Sequence, residues 1–278
     1  MTDLPSPGRT ARASSTSAPR PSALEHLTDR AGDRAGTAAL SHAHPRRWAF
    51  LAVAIAGYAA VTAVLIAVGL VLTKVLLSGP VGTFDDNITI WFADHRVSAL
   101  DSATNVISRS ADTLGAIGIA IIVAIAFTIA RRWRAIAVLV VGLALELTMF
   151  LAANFVVDRP RPSVAKLGSE PSTSSFPSGH SAATTVIYLL VAVVILSSTR
   201  RQWLRVLAWC LAIAGPVAVG LSRVYRGMHH PTDVLAGILL GVAALTVALI
   251  AVRAERAAAH APPQLHASDD RELTGLAA

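Results

Sequence analysis

Histidine, aspartate and arginine residues are concentrated in three short polar runs, each at the end of a long apolar segment. The runs are Asp158-Arg159-Pro160-Arg161-Pro162, Phe176-Pro177-Ser178-Gly179-His180 and Ser222-Arg223-Val224-Tyr225-Arg226-Gly227-Met228-His229-His230-Pro231-Thr232-Asp233. If the apolar segments are membrane spans, the three runs meet at one depth of the membrane. Two histidines, a carboxylate and several arginines would then lie together, and this combination suits attack on a phosphate ester.

The histidines and the aspartate have separate tasks in such a reaction. A neutral imidazole attacks phosphorus directly when its other ring nitrogen donates a proton to a carboxylate that fixes the tautomer. His229 fits this role, with Asp233 four residues further on as the carboxylate. A second, protonated imidazole gives its proton to the leaving group and then activates water. His180 is the candidate for that step.

The same runs contain groups that bind phosphate. Arginine forks and the backbone N–H groups of a helix N-terminus are suitable donors to phosphate oxygens. Arg161 and Arg223 are the candidate arginines, and Ser178 and Gly179 are candidates at the start of a helix.

Each run also has a purely structural explanation. Residues 177–180 could form a turn into a helix, and residues 230–233 could begin a helix with proline and aspartate at preferred positions. Arg159 and Arg161 could be headgroup anchors. These explanations treat the runs one at a time and do not account for all three at the same face, so we favour the joint functional interpretation.

The composition indicates that the chain folds in a membrane. Of its 278 residues, 54% are hydrophobic and 15% are charged, which is too apolar for an ordinary soluble domain. Six apolar runs approach or exceed the roughly 20 residues needed to cross a hydrocarbon core: 49–77, 114–130, 135–157, 182–198, 203–221 and 234–252. Because backbone groups must be satisfied inside lipid, the predicted fold is an all-α, six-helix transmembrane bundle over residues 49–253.

The basic residues favour one orientation of this bundle, since short cytoplasmic loops carry an excess of Arg and Lys. Seven arginines precede the first span. Others follow the second, fourth and sixth spans: Arg131, Arg132, Arg134, Arg200, Arg201, Arg205, Arg253 and Arg256. These groups lie on one side, so both termini are predicted to be cytoplasmic and the polar runs to face away from the cytoplasm.

The segments outside the spans differ in character. Residues 1–48 lack apolar periodicity and are predicted to be a disordered basic cytoplasmic tail, and residues 254–278 a second disordered cytoplasmic tail. Residues 79–112 mix apolar and polar side chains, a pattern typical of short interfacial helices. They could form a lid over the site or be a plain exposed connection.

The second and third runs match the motifs of a known family. Residues 177–180 match Pro-Ser-Gly-His, and Ser222, Arg223, His229 and Asp233 match Ser-Arg-x5-His-x3-Asp. On these motifs the chain resembles the type 2 phosphatidic acid phosphatase superfamily over about residues 49–252. The resemblance implies hydrolysis of a lipid phosphate or diphosphate through a phosphohistidine intermediate, with no metal and no cofactor.

Family members act on polyprenyl diphosphates, phosphatidic acid, phosphatidylglycerol phosphate and related lipids. The Ala- and Arg-rich composition, typical of a high-GC bacterial genome, and an outward-facing site favour a polyprenyl diphosphate as the substrate. The predicted partners are therefore a lipid phosphate and the bilayer.

The family's first motif, Lys-x6-Arg-Pro, is matched only in part. Arg161 and Pro162 fit, but counting back places Asn154 where the lysine is expected. Asparagine donates a hydrogen bond without a charge. Phosphate binding is therefore expected to depend more on Arg161, Arg223 and Arg159.

Other features narrow the alternatives. Glu146, inside the third predicted span, is either functional or a protonated or hydrogen-bonded structural group. The single cysteine, Cys210, has no intrachain partner, which excludes a disulfide, and the charges lack the interleaved aromatics of a nucleic-acid site. Vanadium-dependent haloperoxidases share the motifs but are soluble, and a transporter or scaffold would not explain two histidines with matching arginines.

Overall fold

All regular structure in the described part of the chain is helical. The computed structural model describes residues 46–169 and 173–260. Its helices are α1 (Arg46–Val71), α2 (Pro80–Asp94), α3 (Ser98–Ser110), α4 (Thr113–Ile129), α5 (Trp133–Val157), α6 (Gly179–Ser198), α7 (Gln202–Tyr225) and α8 (Pro231–His260). A π-helical segment, Leu72–Leu76, extends α1. The predicted all-α fold is confirmed.

Five of these helices are long and apolar enough to cross a membrane, namely α1 with its extension, α5, α6, α7 and α8. The second predicted span corresponds to α4. Its 17 residues rise about 26 Å, somewhat less than a hydrocarbon core about 30 Å thick. Together α3 and α4 pass the same test as one broken span with a bend of 62°. The structure therefore has five candidate spans, or six when the bent pair counts as one.

Helix α8 contacts both apolar clusters of the bundle. One cluster joins α8 to α1, α5 and α6, and the other joins it to α4, α5 and α6. Their fully buried members on α8 include Ala244 and Ala248. Because lipid chains are as apolar as the side chains they replace, such contacts stabilise the bundle by close packing rather than by exclusion of water.

Two glycines allow α8 to lie directly against the backbone of α6. A Cβ atom added at Gly237 would lie 2.3 Å from the carbonyl oxygen of Ser178. One added at Gly241, a turn later, would lie 2.5 Å from the carbonyl oxygen of Ala182. This is the small-residue packing common between membrane helices. It holds the second polar run against the start of α8.

Helices α2 and α3 form the connection between the first two predicted spans, where short helices were predicted. Asp85 of α2 is completely buried, and Ser108 of α3 is nearly so. Tyr225, at the end of α7, donates a hydrogen bond from its hydroxyl to the Asp101 carboxylate of α3 at 2.7 Å. The connection therefore packs on the bundle and is not a plain exposed link.

Both predicted tail boundaries differ from the helix ends. Helix α8 continues to His260, so residues 254–260 are helical and not the start of a disordered tail. Ala254 is fully buried there, and alanine is the strongest helix former, which explains the extension. Helix α1 similarly begins at Arg46, inside the predicted N-terminal tail. The remainder of both predicted tails, 1–45 and 261–278, lies outside the described residues.

The contact between α6 and α8 leads to a stability prediction. Gly241→Ala places a Cβ atom against a backbone carbonyl and should destabilise the protein by about 1–3 kcal/mol. Gly118→Ala on α4 is the matched control, because nothing lies within 4 Å of a Cβ atom there. The free energy of unfolding of this control should rise by up to about 1 kcal/mol, because alanine has a higher helix propensity than glycine. Thermal unfolding in detergent measures the stability of both variants. Equal melting temperatures of Gly241→Ala and Gly118→Ala would contradict the close contact between α6 and α8.

Candidate active site

The three polar runs meet at one end of the bundle. The first follows α5, the second leads into α6, and the third covers the end of α7 and the start of α8. Asp158, in the left-handed conformation with φ 43°, ends α5. The Ser178 N–H donates to the Asp233 carbonyl oxygen at 3.0 Å, which joins the second run to the third. Residues far apart in sequence therefore share one site.

A cavity of about 600 Å³ opens beside these runs. Its polar end is lined by Arg161, Thr173, Ser174, Gly179, His180, Arg223 and His229. Its other end lies between α4 and α5 and is lined mainly by apolar residues, among them Ile117, Ile121, Leu139, Val140, Leu143 and Leu147. We call this second part the apolar groove. The cavity thus combines a phosphate-sized polar end with a surface suited to hydrocarbon.

The imidazole ring of His229 has a defined tautomer. Its Nδ1 lies 2.8 Å from the backbone carbonyl oxygen of Ser175. A carbonyl oxygen only accepts hydrogen bonds, so Nδ1 carries the proton, and Nε2 of the neutral ring keeps its lone pair. The Oδ2 atom of Asp233, expected to accept from Nδ1, is 3.9 Å away. The Ser175 carbonyl oxygen is closer and accepts the hydrogen bond from Nδ1, so the expected direct hydrogen bond from His229 to Asp233 is not made.

The surroundings of His229 favour its neutral form. The side chain is almost completely buried. Burial, and next the positive charge of Arg223, lower the pKa of His229 well below its usual value. The Asp233 carboxylate raises this pKa, but by less. A neutral imidazole with a free Nε2 is the form that attacks phosphorus.

Asp233 acts on His229 through an intermediate residue. Its buried carboxylate accepts hydrogen bonds from the Ser175 hydroxyl and from the Arg159 guanidinium. It also accepts from the backbone N–H of His230 at 2.9 Å. The hydroxyl of Ser175 thus donates to Asp233 while its carbonyl accepts from His229. Asp233 therefore fixes the group that orients the imidazole.

Arg159 does not line the cavity. Its guanidinium donates to Asp85 at 2.6 Å, to Thr232 at 2.7 Å and to Asp233. Both ion pairs are buried, with no exposed side-chain surface on either partner. An arginine held by two carboxylates has no excess charge for a phosphate. In the structure Arg159 compensates two buried carboxylates, and its expected contact with a phosphate stays a prediction.

Arg223 and Arg161 line the polar end of the cavity, as a phosphate site requires. One terminal nitrogen of Arg223 donates to the Ser108 hydroxyl at 2.7 Å, and its Nε is buried without a partner among the described residues. Buried donors without partners are rare, and a phosphate oxygen would satisfy this one. Arg161 is held by the carbonyl oxygens of Met228, at 2.7 Å, and Thr173, at 3.1 Å.

The start of α6 presents Gly179 and His180 to the cavity. The first bond of this helix runs from the N–H of Ala182 to the carbonyl of Ser178. The N–H groups between these two residues have no helical partner, and such groups bind anions. Ser178 itself is fully buried, and its N–H is used by Asp233. The N–H of Ser178 is therefore already used within the protein, while that of Gly179 is available to a phosphate, and the phosphate-binding roles of both residues stay predictions.

Asn154 binds the protein backbone. Its amide nitrogen donates to the carbonyl oxygens of Ser174 at 2.9 Å and Phe176 at 3.2 Å. Both amide hydrogens are thereby used, and Asn154 is not among the residues that line the cavity. These contacts hold the segment that carries Ser175, and the expected role of Asn154 in phosphate binding stays a prediction.

Three residues of the site were not found by sequence reasoning. Ser175 directly precedes the second run, but its carbonyl is a backbone group that any residue supplies. Asp85 lies 74 residues from Arg159, and Ser108 lies 115 residues from Arg223. No spacing rule relates positions so distant, although a pair of adjacent acids at 85 and 86 offered a weak signal.

Part of the chain matches a known protein family. The model of the PAP2 superfamily matches residues 133–257, which hold α5 to α7, nearly all of α8 and all three polar runs. Residues 133–257 belong to the PAP2 superfamily. Over 91 residues, 31% of this chain and 42% of the relative, the protein is 38% identical to phosphatidylglycerophosphatase B of Bacillus subtilis (strain 168). Over 117 residues, 40% of this chain and 52% of the relative, it is 32% identical to the undecaprenyl-diphosphatase of Sulfolobus acidocaldarius.

These matches to PAP2 proteins are partial, and the chain spans about half the length of the two curated relatives. A solved structure covers more of the chain. The crystal structure of the first transmembrane PAP2 type phosphatidylglycerolphosphate phosphatase from Bacillus subtilis aligns with 67% of this chain and 93% of that one, at a TM-score of 0.59 and 23% identity. This likeness shows that the two proteins share a fold.

The two buried ion pairs of Arg159 generate a prediction. Arg159→Met leaves Asp85 and Asp233 without their cation and should destabilise the fold by about 3–5 kcal/mol. Arg109→Met removes an exposed arginine of α3 and should change stability by less than about 0.5 kcal/mol. Thermal unfolding in detergent compares the two. An Arg159→Met protein as stable as the wild type, with only a raised KM for substrate, would contradict the structural role.

Proposed function

We propose that this PAP2 protein hydrolyses the phosphate ester or diphosphate of a membrane lipid without a metal ion. The main support is the tautomer of His229, whose Nδ1 bonds to the Ser175 carbonyl and so leaves Nε2 as the nucleophilic nitrogen. It shares a cavity with two arginines, and a neutral nucleophile beside guanidinium groups suits an anionic phosphate. The names of the curated relatives, a phosphatase and a diphosphatase, support the same reaction class.

In the proposed first step, Nε2 of His229 attacks phosphorus. The N–P bond forms as the P–O bond to the leaving group breaks, which gives a phosphohistidine. The leaving group is a lipid alkoxide from a phosphate monoester or a lipid monophosphate from a diphosphate. Arg161, Arg223 and the free N–H groups at the start of α6 stabilise the charge on the phosphoryl oxygens. The proton on Nδ1 remains hydrogen-bonded to the Ser175 carbonyl, and the nearby Asp233 carboxylate stabilises the positive charge that develops on the ring.

His180 is proposed to transfer the protons of the reaction. It lines the cavity beside Gly179. In its protonated form it donates to the departing lipid oxygen, and the neutral ring then accepts a proton from water as that water attacks phosphorus. The N–P bond breaks, phosphate leaves, and the His229 ring returns to its neutral state.

The apolar groove suits the hydrocarbon part of a lipid. A substrate with its phosphate at the polar end would extend its chain between α4 and α5. The relatives' names include both a glycerophospholipid phosphatase and a polyprenyl diphosphatase. The composition favours a polyprenyl diphosphate, with phosphatidic acid and phosphatidylglycerol phosphate as the other candidates.

We also propose that the site faces away from the cytoplasm and that both termini lie in the cytoplasm. The connection between α4 and α5 and the end of α8 lie at the opposite end of the bundle from the site. There they form a second pocket, of about 480 Å³, whose basic lining is Arg131, Arg132, Arg134, Arg253 and Arg256. Such an arginine excess is typical of the cytoplasmic side.

Release of phosphate from a panel of lipid phosphates by purified protein, with a chelator and no added metal, tests the reaction. His229→Ala should lower kcat/KM at least about 1,000-fold because the nucleophile is lost. His180→Ala should lower it about 100-fold or more. His95→Ala, at an exposed histidine between α2 and α3, is the matched control and should equal the wild type.

The outcomes of this assay separate the functions. Equal activity of the wild type and His229→Ala would contradict the mechanism. No phosphate release from any lipid would favour a transporter or scaffold, and loss of activity with the chelator would contradict the absence of a metal.

Cysteine labelling tests the orientation. In a Cys210→Ala background, a cysteine at the exposed Ser163 should react with a membrane-impermeant maleimide in intact cells. One at the exposed Arg200, in the connection between α6 and α7, should react only after the membrane is permeabilised. The reverse pattern would place the site in the cytoplasm.

A further inference from the structure

Glu146 is a carboxylic acid inside the apolar groove. It lies on α5, in a segment long and apolar enough to span the membrane. Its neighbours on the same face of the helix, Leu143, Leu147 and Phe150, line the cavity with it. An ionisable side chain at such a position is costly to retain and is usually functional.

The carboxyl group of Glu146 has no hydrogen bond or ion pair to any residue that the structure describes. The residue is only 4% exposed, so bulk water does not solvate it freely. Buried polar groups normally have a partner, and an exception needs an explanation. Because Glu146 faces the cavity, the partner that it lacks among the described residues can come from a molecule that occupies the groove.

The position of Glu146 is close to the phosphate end of the cavity. Phe150 follows it by one helical turn, about 6 Å along α5. The ring of Phe150 packs at the start of α6, where a Cβ atom on Gly179 would lie 3.2 Å from it. Glu146 therefore lies roughly one turn further into the groove than the N–H groups of α6 that face the phosphate site.

The two candidate lipid classes differ in what they place at this point. Phosphatidic acid carries ester oxygens a few bonds from its phosphate, whereas in phosphatidylglycerol phosphate a glycerol and a second phosphate separate the reacting phosphate from the esters. A polyprenyl monophosphate carries only hydrocarbon beyond the phosphate oxygen and gives a carboxyl group no hydrogen-bond partner. An unpaired polar group against hydrocarbon is unfavourable, whereas a hydrogen bond to an ester oxygen satisfies it.

We propose that the carboxylic acid of Glu146 donates a hydrogen bond to the glycerol ester region of the substrate and so selects phosphatidic acid over polyprenyl monophosphates. This inference rests on the proposed function and names the substrate class of the same site. It differs from the preference for a polyprenyl diphosphate that composition suggests, because it depends on a side chain in the groove. Glu146 binds the part of the lipid that does not react, so its effect is on selectivity.

This proposal is tested with three lipid phosphomonoesters that share the phosphate group and differ in the lipid attached to it. They are phosphatidic acid, its dialkyl ether analogue without carbonyls, and a polyprenyl monophosphate. Glu146→Leu should lower kcat/KM for phosphatidic acid about tenfold, since it removes one hydrogen bond in an apolar site. The same variant should change kcat/KM for the other two substrates by less than about twofold. Glu146→Gln keeps a donor and an acceptor and should retain the wild-type preference.

Thr148→Val is the matched control on the same helix. The hydroxyl of Thr148 donates to the Ala144 carbonyl at 2.8 Å, and the residue does not line the cavity. Thr148→Val should leave kcat/KM unchanged for all three substrates. Glu146→Met serves as a second apolar variant if Glu146→Leu fails to fold, as judged by thermal unfolding.

Each result decides the proposal. The role of Glu146 would be overturned if Glu146→Leu, in an active enzyme, changed kcat/KM equally for all three substrates or for none of them. That result would show that water alone satisfies the carboxyl group. Under that result the proposed phosphatase function would stand. A wild-type protein that releases phosphate from no lipid would instead overturn the function, and the inference with it.

Discussion

The guanidinium of Arg159, buried between the carboxylates of Asp85 and Asp233, connects the three parts of the molecule that build the site. Asp85 comes from α2, Asp233 from α8, and the arginine from the segment after α5. Buried charges are stable only when paired, so none of the three segments can move away without leaving an uncompensated charge. Asp233 then holds Ser175, and Ser175 orients His229. The proposed nucleophile thus depends on an ion pair that does not contact the substrate cavity.

The packing of the membrane helices adds a second constraint. Gly237 and Gly241 bring α8 against the backbone of α6, so the helix starts that carry two of the polar runs lie side by side. Between α4 and α5 the side chains instead enclose the apolar groove. One bundle therefore provides a close helix contact behind the candidate catalytic groups and an apolar groove in front of them.

The limits of sequence reasoning are clearest at Arg159 and Asn154. Both residues are of a type that binds phosphate, and both lie near the first motif. In the structure, two carboxylates occupy the arginine, and two backbone carbonyls occupy the asparagine. A residue type specifies the bonds that a side chain can make. Its partner depends on segments up to 74 residues away, which no local pattern relates to it.

The sequence by itself determined the helical fold, because apolar runs of this length must satisfy their backbone groups internally in lipid. It also determined which histidines and arginines come together, since motifs at the ends of successive spans reach the same face. Only the tertiary structure decided which of these groups face the cavity and which hold other residues in place. In it, Nδ1 of His229 donates to a backbone carbonyl, Arg159 pairs with two acids, and Glu146 lies in the groove without a partner among the described residues. Those assignments depend on distances of a few ångströms between separate helices, which are set by packing and not by local sequence.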